Sequence, residues 1–228
     1  MRTWLAALLL AAAPAWAAPF VVQLGSVRLG LDAPPGFADT GFTGSPRLQE
    51  MGESLTSASN KILLFAISDG DLRAFSQGDT PQYRRYMIIV TPRDLVEQQV
   101  STSQFGQFVA DALRGLGPPA PDENYPAYLN AQPAGQTGLL AELHRGTTMV
   151  SVLQGTRLPP MRQPGMIERL FDKKEPPRYA ISTTTLLLLK GKALSLSVYS
   201  GYDSAEDVAW IKDTTRRWVA DLERLNRN

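Results

Sequence analysis

The chain predicts an α+β fold, a mostly antiparallel sheet covered by helices and finished by a C-terminal amphipathic helix. Three observations carry that reading. Apolar runs of strand length follow one another across short polar breaks more often than across helical crossovers, which favours antiparallel pairing. The stretch "TTTLLLLKGKALSLSVYSGY" (183–202) places a Lys-Gly-Lys turn between two apolar arms. The last residues repeat Val208, Ile211, Thr215, Trp218, Leu222 and Leu225 at three-four spacing, one continuous stripe on a helix.

Taken in order, "FVVQLGSVRLGL" (20–31) holds Val27, Leu29 and Leu31 in alternation and predicts a strand. Pro34 and Pro35 end it, because neither can donate to a ladder. Ser45-Pro46 is an N-cap followed by proline at the first helical position, and Leu48, Met51, Leu55 and Ala58 follow at helical spacing. "KILLFAIS" (61–68) and "RRYMIIV" (84–90) predict buried strands bridged by the polar "DGDLRAFSQGDTPQ". Residues 101–115 predict a helix with Phe105, Phe108, Val109, Ala112 and Leu113 on one face and Gly115 as its stop. A Pro-rich loop is expected near 117–138, then a strand pair over 139–155 turning near Arg145-Gly146. A second Pro-rich excursion is expected near 157–178.

Lys190 and Lys192 decide between a membrane helix and a hairpin at 183–202, since a lysine at mid-bilayer costs about 2.5–3.5 kcal/mol. A core hairpin is the expectation. For the last helix, Asp203 or Ser204 can cap, with Glu206 or Asp207 completing a capping box. Asp213 with Arg217 adds support at four-residue spacing.

The N-terminus carries an address. Arg2, the apolar run Leu5 to Ala13, and Ala15-Trp16-Ala17 are the three parts of a secretory signal peptide, with cleavage expected after Ala17. An uncleaved anchor is the alternative, opposed by Pro14 and Pro19. With no Arg-Arg pair before the apolar run, the general secretory route is expected, to the periplasm or outside. A mature chain of 18–228 is expected to form a single α+β domain with no transmembrane segment. It has no cysteine and so no disulfide framework. Without Arg2, 22 basic side chains face 22 acidic ones, which gives no electrostatic footprint for nucleic acid.

The inventory excludes many chemistries. His144 is the only histidine, so two-histidine zinc sites are impossible, as are thiolate sites and cysteine nucleophiles. No nucleophile elbow, P-loop or dinucleotide fingerprint is present. No catalytic residue, metal ligand or cofactor is assigned. Asp39-Thr40-Gly41 has the form of an aspartic-protease triplet, but one copy lacks the second carboxylate that such chemistry needs, and a turn is the plainer reading. Asp69, Asp71 and Asp79 share one loop, yet Ala74 and Thr80 break the calcium-loop pattern. Aromatic recognition is the remaining candidate. It rests on Tyr125 and Tyr128 in the first Pro-rich loop and on Tyr199, Tyr202 and Trp210 near the last hairpin, with half-buried packing as the alternative.

The segment "SVRLGLDAPPGFADT" resembles the opening of PsbP-like domains, and "KGKALSLSVYSGY" with "VAWIKDTTRRWVADL" is similar to that family's last hairpin and helix. The resemblance implies an α-β-α sandwich acting as an accessory or assembly factor that binds other proteins, without a catalytic set. The chain also resembles small exported proteins of Gram-negative bacteria. The expected function is therefore an exported, non-enzymatic module for a partner protein or an envelope component. The alternatives are a hydrolase in which Asp39, Asp69 or Asp71 converge, and a carrier of a small apolar ligand with a cavity under the sheet.

Overall fold

The computed structural model describes residues 19–160 and 176–227. The expected leader over 1–17 and most of the expected excursion at 157–178 lie outside these residues.

The elements are β1 (Phe20–Leu24), β2 (Val27–Leu31), β3 (Phe37–Asp39), α1 (Pro46–Ser54), β4 (Asn60–Ser68), α2 (Asp69–Gln77) and β5 (Arg85–Pro92). They continue with α3 (Thr102–Leu113), α4 (Tyr125–Asn130), β6 (Thr137–Arg145), β7 (Met149–Arg157), β8 (Tyr179–Leu189), β9 (Lys192–Tyr202) and α5 (Ala205–Leu225). Seven strands form one sheet in the order β3-β4-β5-β9-β8-β7-β6, and β1 with β2 forms a separate hairpin. Every neighbouring pair is antiparallel. The α+β expectation holds, with β8 and β9 in the middle of the sheet.

Strand alternation sorts the two faces. Leu194, Leu196 and Val198 of β9, with Met87 and Ile89 of β5, join the largest core, which also takes Val208, Ile211, Trp218, Val219 and Leu222 of α5. Leu24, Leu29 and Leu31 of the β1–β2 hairpin complete that layer. On the other face Phe65, Ile67, Ile88 and Val90 pack with Leu48 of α1 and Leu72 and Phe75 of α2. Val150, Leu186 and Ala193 pack with Phe105 and Val109 of α3. The sheet is thus covered on both faces, and both arms of the 183–202 hairpin are buried for most of their length.

The caps explain the element boundaries. Ser45 Oγ accepts from the Leu48 N–H at the start of α1. Ser101 and Gln104 form a capping box on α3, and Ser204 with Asp207 form one on α5. Between β8 and β9, Lys190 (φ 49°) and Gly191 (φ 74°) both adopt the left-handed conformation, which the twisted two-residue hairpin turn requires. A Cβ on Gly191 would lie 1.9 Å from Gln99 Oε1 and push that side chain aside, but it is the left-handed φ that makes any other residue strained here.

Four local readings are corrected. The 20–31 strand is a hairpin, because Gly25 turns the chain at φ 56°. The polar bridge after β4 is the helix α2, capped by Ser68 and ended by left-handed Gly78. Helix α1 stops at Ser54 and does not reach Ala58. Within the Pro-rich stretch at 117–138, Asn124 caps the short helix α4 and β6 begins at Thr137.

Two polar ties fix α5 to the rest. Trp218 Nε1 donates to the Asp32 carbonyl at 2.8 Å. The Asn226 amide accepts from the Gly30 N–H at 2.9 Å and donates to the Gly30 carbonyl at 2.8 Å, so a side chain stands in for a strand partner on β2.

Candidate interaction surface

The five aromatic residues singled out by the sequence do not gather on one surface. Tyr199 lies on the α1–α2 side of the sheet, stacked on Tyr86 with ring centroids 4.7 Å apart. Burial pushes the Tyr86 hydroxyl up to about 12. Tyr125, Tyr128, Tyr202 and Trp210 belong to the α5 side. Tyr125 is buried there, and the Tyr128 hydroxyl donates to the Pro118 carbonyl at 3.3 Å. Tyr202 meets Tyr179 across the β8–β9 ladder, with centroids 6.1 Å apart. The Arg85 guanidinium sits 4.0 Å from the centroid of the Trp210 ring, so that face is already occupied.

Beside Trp210, charge is organised around Asp207. Its carboxylate accepts from Arg84 at 3.0 and 3.1 Å, from Arg85 at 3.1 Å and from the Asp203 N–H at 3.0 Å. Burial alone would raise the Asp207 carboxyl, but these donors outweigh it and hold the group below the usual carboxylate range. The cluster ties the start of β5 to the start of α5. Both Asp207 oxygens are taken by these donors, and the carboxylate's role is structural.

Two of the three aspartates of the hydrolase reading, Asp39 and Asp71, accept hydrogen bonds from backbone, and Asp69 opens α2. Asp71 accepts from the Gln82 and Tyr83 N–H groups at 2.9 and 3.2 Å and from the Ser68 hydroxyl at 2.7 Å. Asp39 Oδ1 accepts from the Gly41 N–H at 3.3 Å and from the Phe65 N–H at 3.2 Å. Burial pushes the Asp39 carboxyl up, and the backbone donors pull the other way. Asp39 and Gly41 therefore serve a turn. Among the described residues no three His, Asp or Glu side chains are placed to hold a metal ion. Nor is any helix among them long and apolar enough to cross a membrane.

The feature that sequence reading did not find lies at the β3 end of the sheet. Strand β4 has nine residues, but β3 has three and pairs only with Ala66, Ile67 and Ser68. Thr40 closes the next position, donating to the Phe65 carbonyl through its N–H at 2.7 Å and its hydroxyl at 2.9 Å. Beyond that point the Lys61–Leu64 edge has no strand beside it among the described residues.

A groove of about 690 Å³ runs along this edge, with β4 on one side and α1 and the Gly41–Thr43 turn on the other. Its floor includes Leu48, Ile62 and Leu63, and Gly52 of α1 lies close enough to Phe65 that a Cβ there would meet the ring at 3.1 Å. Lys61 and Arg93 bring positive charge and Asp39 and Glu53 negative, and neither cation makes an ion pair among the described residues. Phe42, in the turn that bounds the groove, is 74% exposed and touches only one other ring, Phe20, at 5.3 Å.

The opposite edge is managed differently. Ala120 donates to the Leu139 carbonyl and Leu139 donates to the Leu116 carbonyl, so a loop covers part of β6, and two bulges irregularise the rest. The β4 edge is the one left able to take a strand. No sequence pattern marks it, because it results from the length of β3 relative to β4, and a strand of three residues gives no periodicity.

No protein-family model matches the chain, and no curated protein matches it. Among solved structures, the Ran-binding protein Mog1p of Saccharomyces cerevisiae is similar at 13% identity and a TM-score of 0.37, over 92% of this chain and 93% of that one. A mutant of the protein Mog1 is similar at 14% identity and a TM-score of 0.36, over the same shares of the two chains. Likeness at this level bears on neither the partner nor the chemistry of this chain.

Proposed function

We propose that this chain is an exported, non-enzymatic binding module that captures an extended segment of a partner protein along the β4 edge. The observation that carries the reading is the mismatch between a nine-residue β4 and a three-residue β3, with a groove alongside. Main-chain groups on an unpaired edge accept another strand, and flanking pockets select its alternate side chains. Lys61 fixes the partner's chemistry. A charged residue on an edge opposes pairing with a second copy of the same strand, whereas an acidic residue placed opposite it is favourable. The fitting segment is therefore extended, with an apolar side chain for Phe42 and an acidic one for Lys61.

The signal-peptide pattern over 1–17 supports export to the periplasm. The likeness of the opening segment and of the last hairpin and helix to PsbP-like domains supports an accessory role. Amino-terminal sequencing of the protein recovered from the periplasm would start at Ala18 if this is right, and recovery of the intact chain from the cytoplasm would refute it.

A photo-crosslinking amino acid placed at Phe42 tests the surface in living cells. Crosslinks to a second protein that disappear when Lys61→Glu is added support the proposal. Labelling no greater than from the same probe at Arg217, an exposed position on α5, would refute it.

A further inference from the structure

A second chamber, of about 530 Å³, lies on the other side of the molecule, between the β6–β7 hairpin and α5. Its floor is made of hydroxyls on the sheet and on the inner face of the helix. Ser151 Oγ and Thr185 Oγ1 lie 2.8 Å apart, both buried. Beside them Thr183 Oγ1 meets Thr215 Oγ1 at 2.5 Å, and both of these residues are buried too.

A hydroxyl carries one proton and two lone pairs. In a couple of hydroxyls one proton is spent between the two, and the accepting member keeps its own. Among the described residues neither couple makes a second hydrogen bond, so each leaves a proton without an acceptor under α5. A buried donor left unsatisfied costs free energy, and a ligand that brings an acceptor recovers it.

Charge at the rim points the same way. Lys212 and Arg216 stand one turn apart on α5, and both line the chamber. Asp213 is the only carboxylate there, and it is shared by Arg216 at 2.5 Å and Arg217 at 2.6 Å. Lys212 makes no ion pair among the described residues. The remaining walls are the apolar Leu143, Met149, Ala209 and Val219, with the imidazole of His144 beside them. The volume falls in the range of small-molecule sites, about 300–1,000 Å³.

We infer that this chamber is a binding site for a small amphipathic monocarboxylate, an acid with an apolar body of medium-chain fatty-acid size. The carboxylate accepts from the spare hydroxyl protons and lies near Lys212, while the hydrocarbon covers Leu143, Met149 and Val219. The site is independent of the β4 edge, and neither proposal depends on the other.

Calorimetric titration of the purified full-length protein with octanoate, octanol and octylamine tests this. Octanoate should bind at least about tenfold more tightly than octanol, as charged hydrogen bonds imply, and octylamine should not compete. Lys212→Gln, at a partly exposed helix position, should erase the preference for octanoate over octanol, and Val219→Trp should fill the chamber and abolish binding of both. Thr185→Val combined with Ser151→Ala should weaken octanoate selectively. Equal affinity for octanoate and octanol in the unaltered protein would overturn the assignment. So would octanoate binding unchanged by both Lys212→Gln and Val219→Trp, or no heat of binding at millimolar octanoate.

Discussion

At the scale of single residues, two aspartates in similar roles are held in opposite ways. Asp39 sits where its charge is disfavoured. Its carboxyl is raised by burial, so ionisation works against folding, and that burden falls away as pH drops through the folded value. One oxygen does all of its hydrogen bonding, to the Gly41 and Phe65 N–H groups. An asparagine oxygen can keep both bonds without the charge. Chemical denaturation at pH 7 should therefore find Asp39→Asn equal to or more stable than the parent. Asp39→Ala leaves the Phe65 N–H without a partner and should cost about 1–3 kcal/mol. If both substitutions destabilise alike, the charge itself is needed at this turn.

At the scale of elements, the capping box of α5 is also an ion cluster, and its pH dependence has the opposite sign. The Asp207 carboxyl is depressed despite burial, held down by the Asp203 N–H, Arg84 and Arg85. Its contribution is complete above the unfolded aspartate value, near 3.9, and is lost as pH falls through the folded value. Asp207→Asn should cost about 1–3 kcal/mol at pH 7, an amount limited by the partial exposure of the two arginines. Urea titrations of parent and variant should converge as pH falls through the folded value, and a constant gap across pH would show that packing, not charge, is the source. Much at this scale was legible in the chain. Ser204, Asp207 and the stripe from Val208 to Leu222 announce α5, and Lys190-Gly191 announces the central turn. Helix α2 was not legible by its pattern, because none of its residues is fully buried and so no apolar stripe forms. Its signal was the cap, Ser68 with Asp71 three residues on and Gly78 at the end. The β4 groove was not legible at all, since it is set by where β3 stops. Likewise the chamber under α5 needs Ser151, Thr185 and Thr215 brought together from three elements that no local pattern connects.

At the scale of the whole molecule, the sheet has an unusual seam. Strands β3, β4 and β5 form one block and β6, β7 and β8 another, and β9, the last strand made, is the piece that lies between β5 and β8. Arg85 stands opposite Ser200 on one side of β9, and Ile181 stands opposite the same residue on the other. Neither block reaches the other without it. A chain ending at Gly191 should show no cooperative thermal transition, and a sharp one would mean that the blocks fold alone. While the polypeptide is being made, its two halves are therefore obliged to wait. Contacts so distant along the backbone also make assembly slow. Until the final segment arrives the unfinished protein stays open, with the oily flanks of both blocks left bare to the surrounding water.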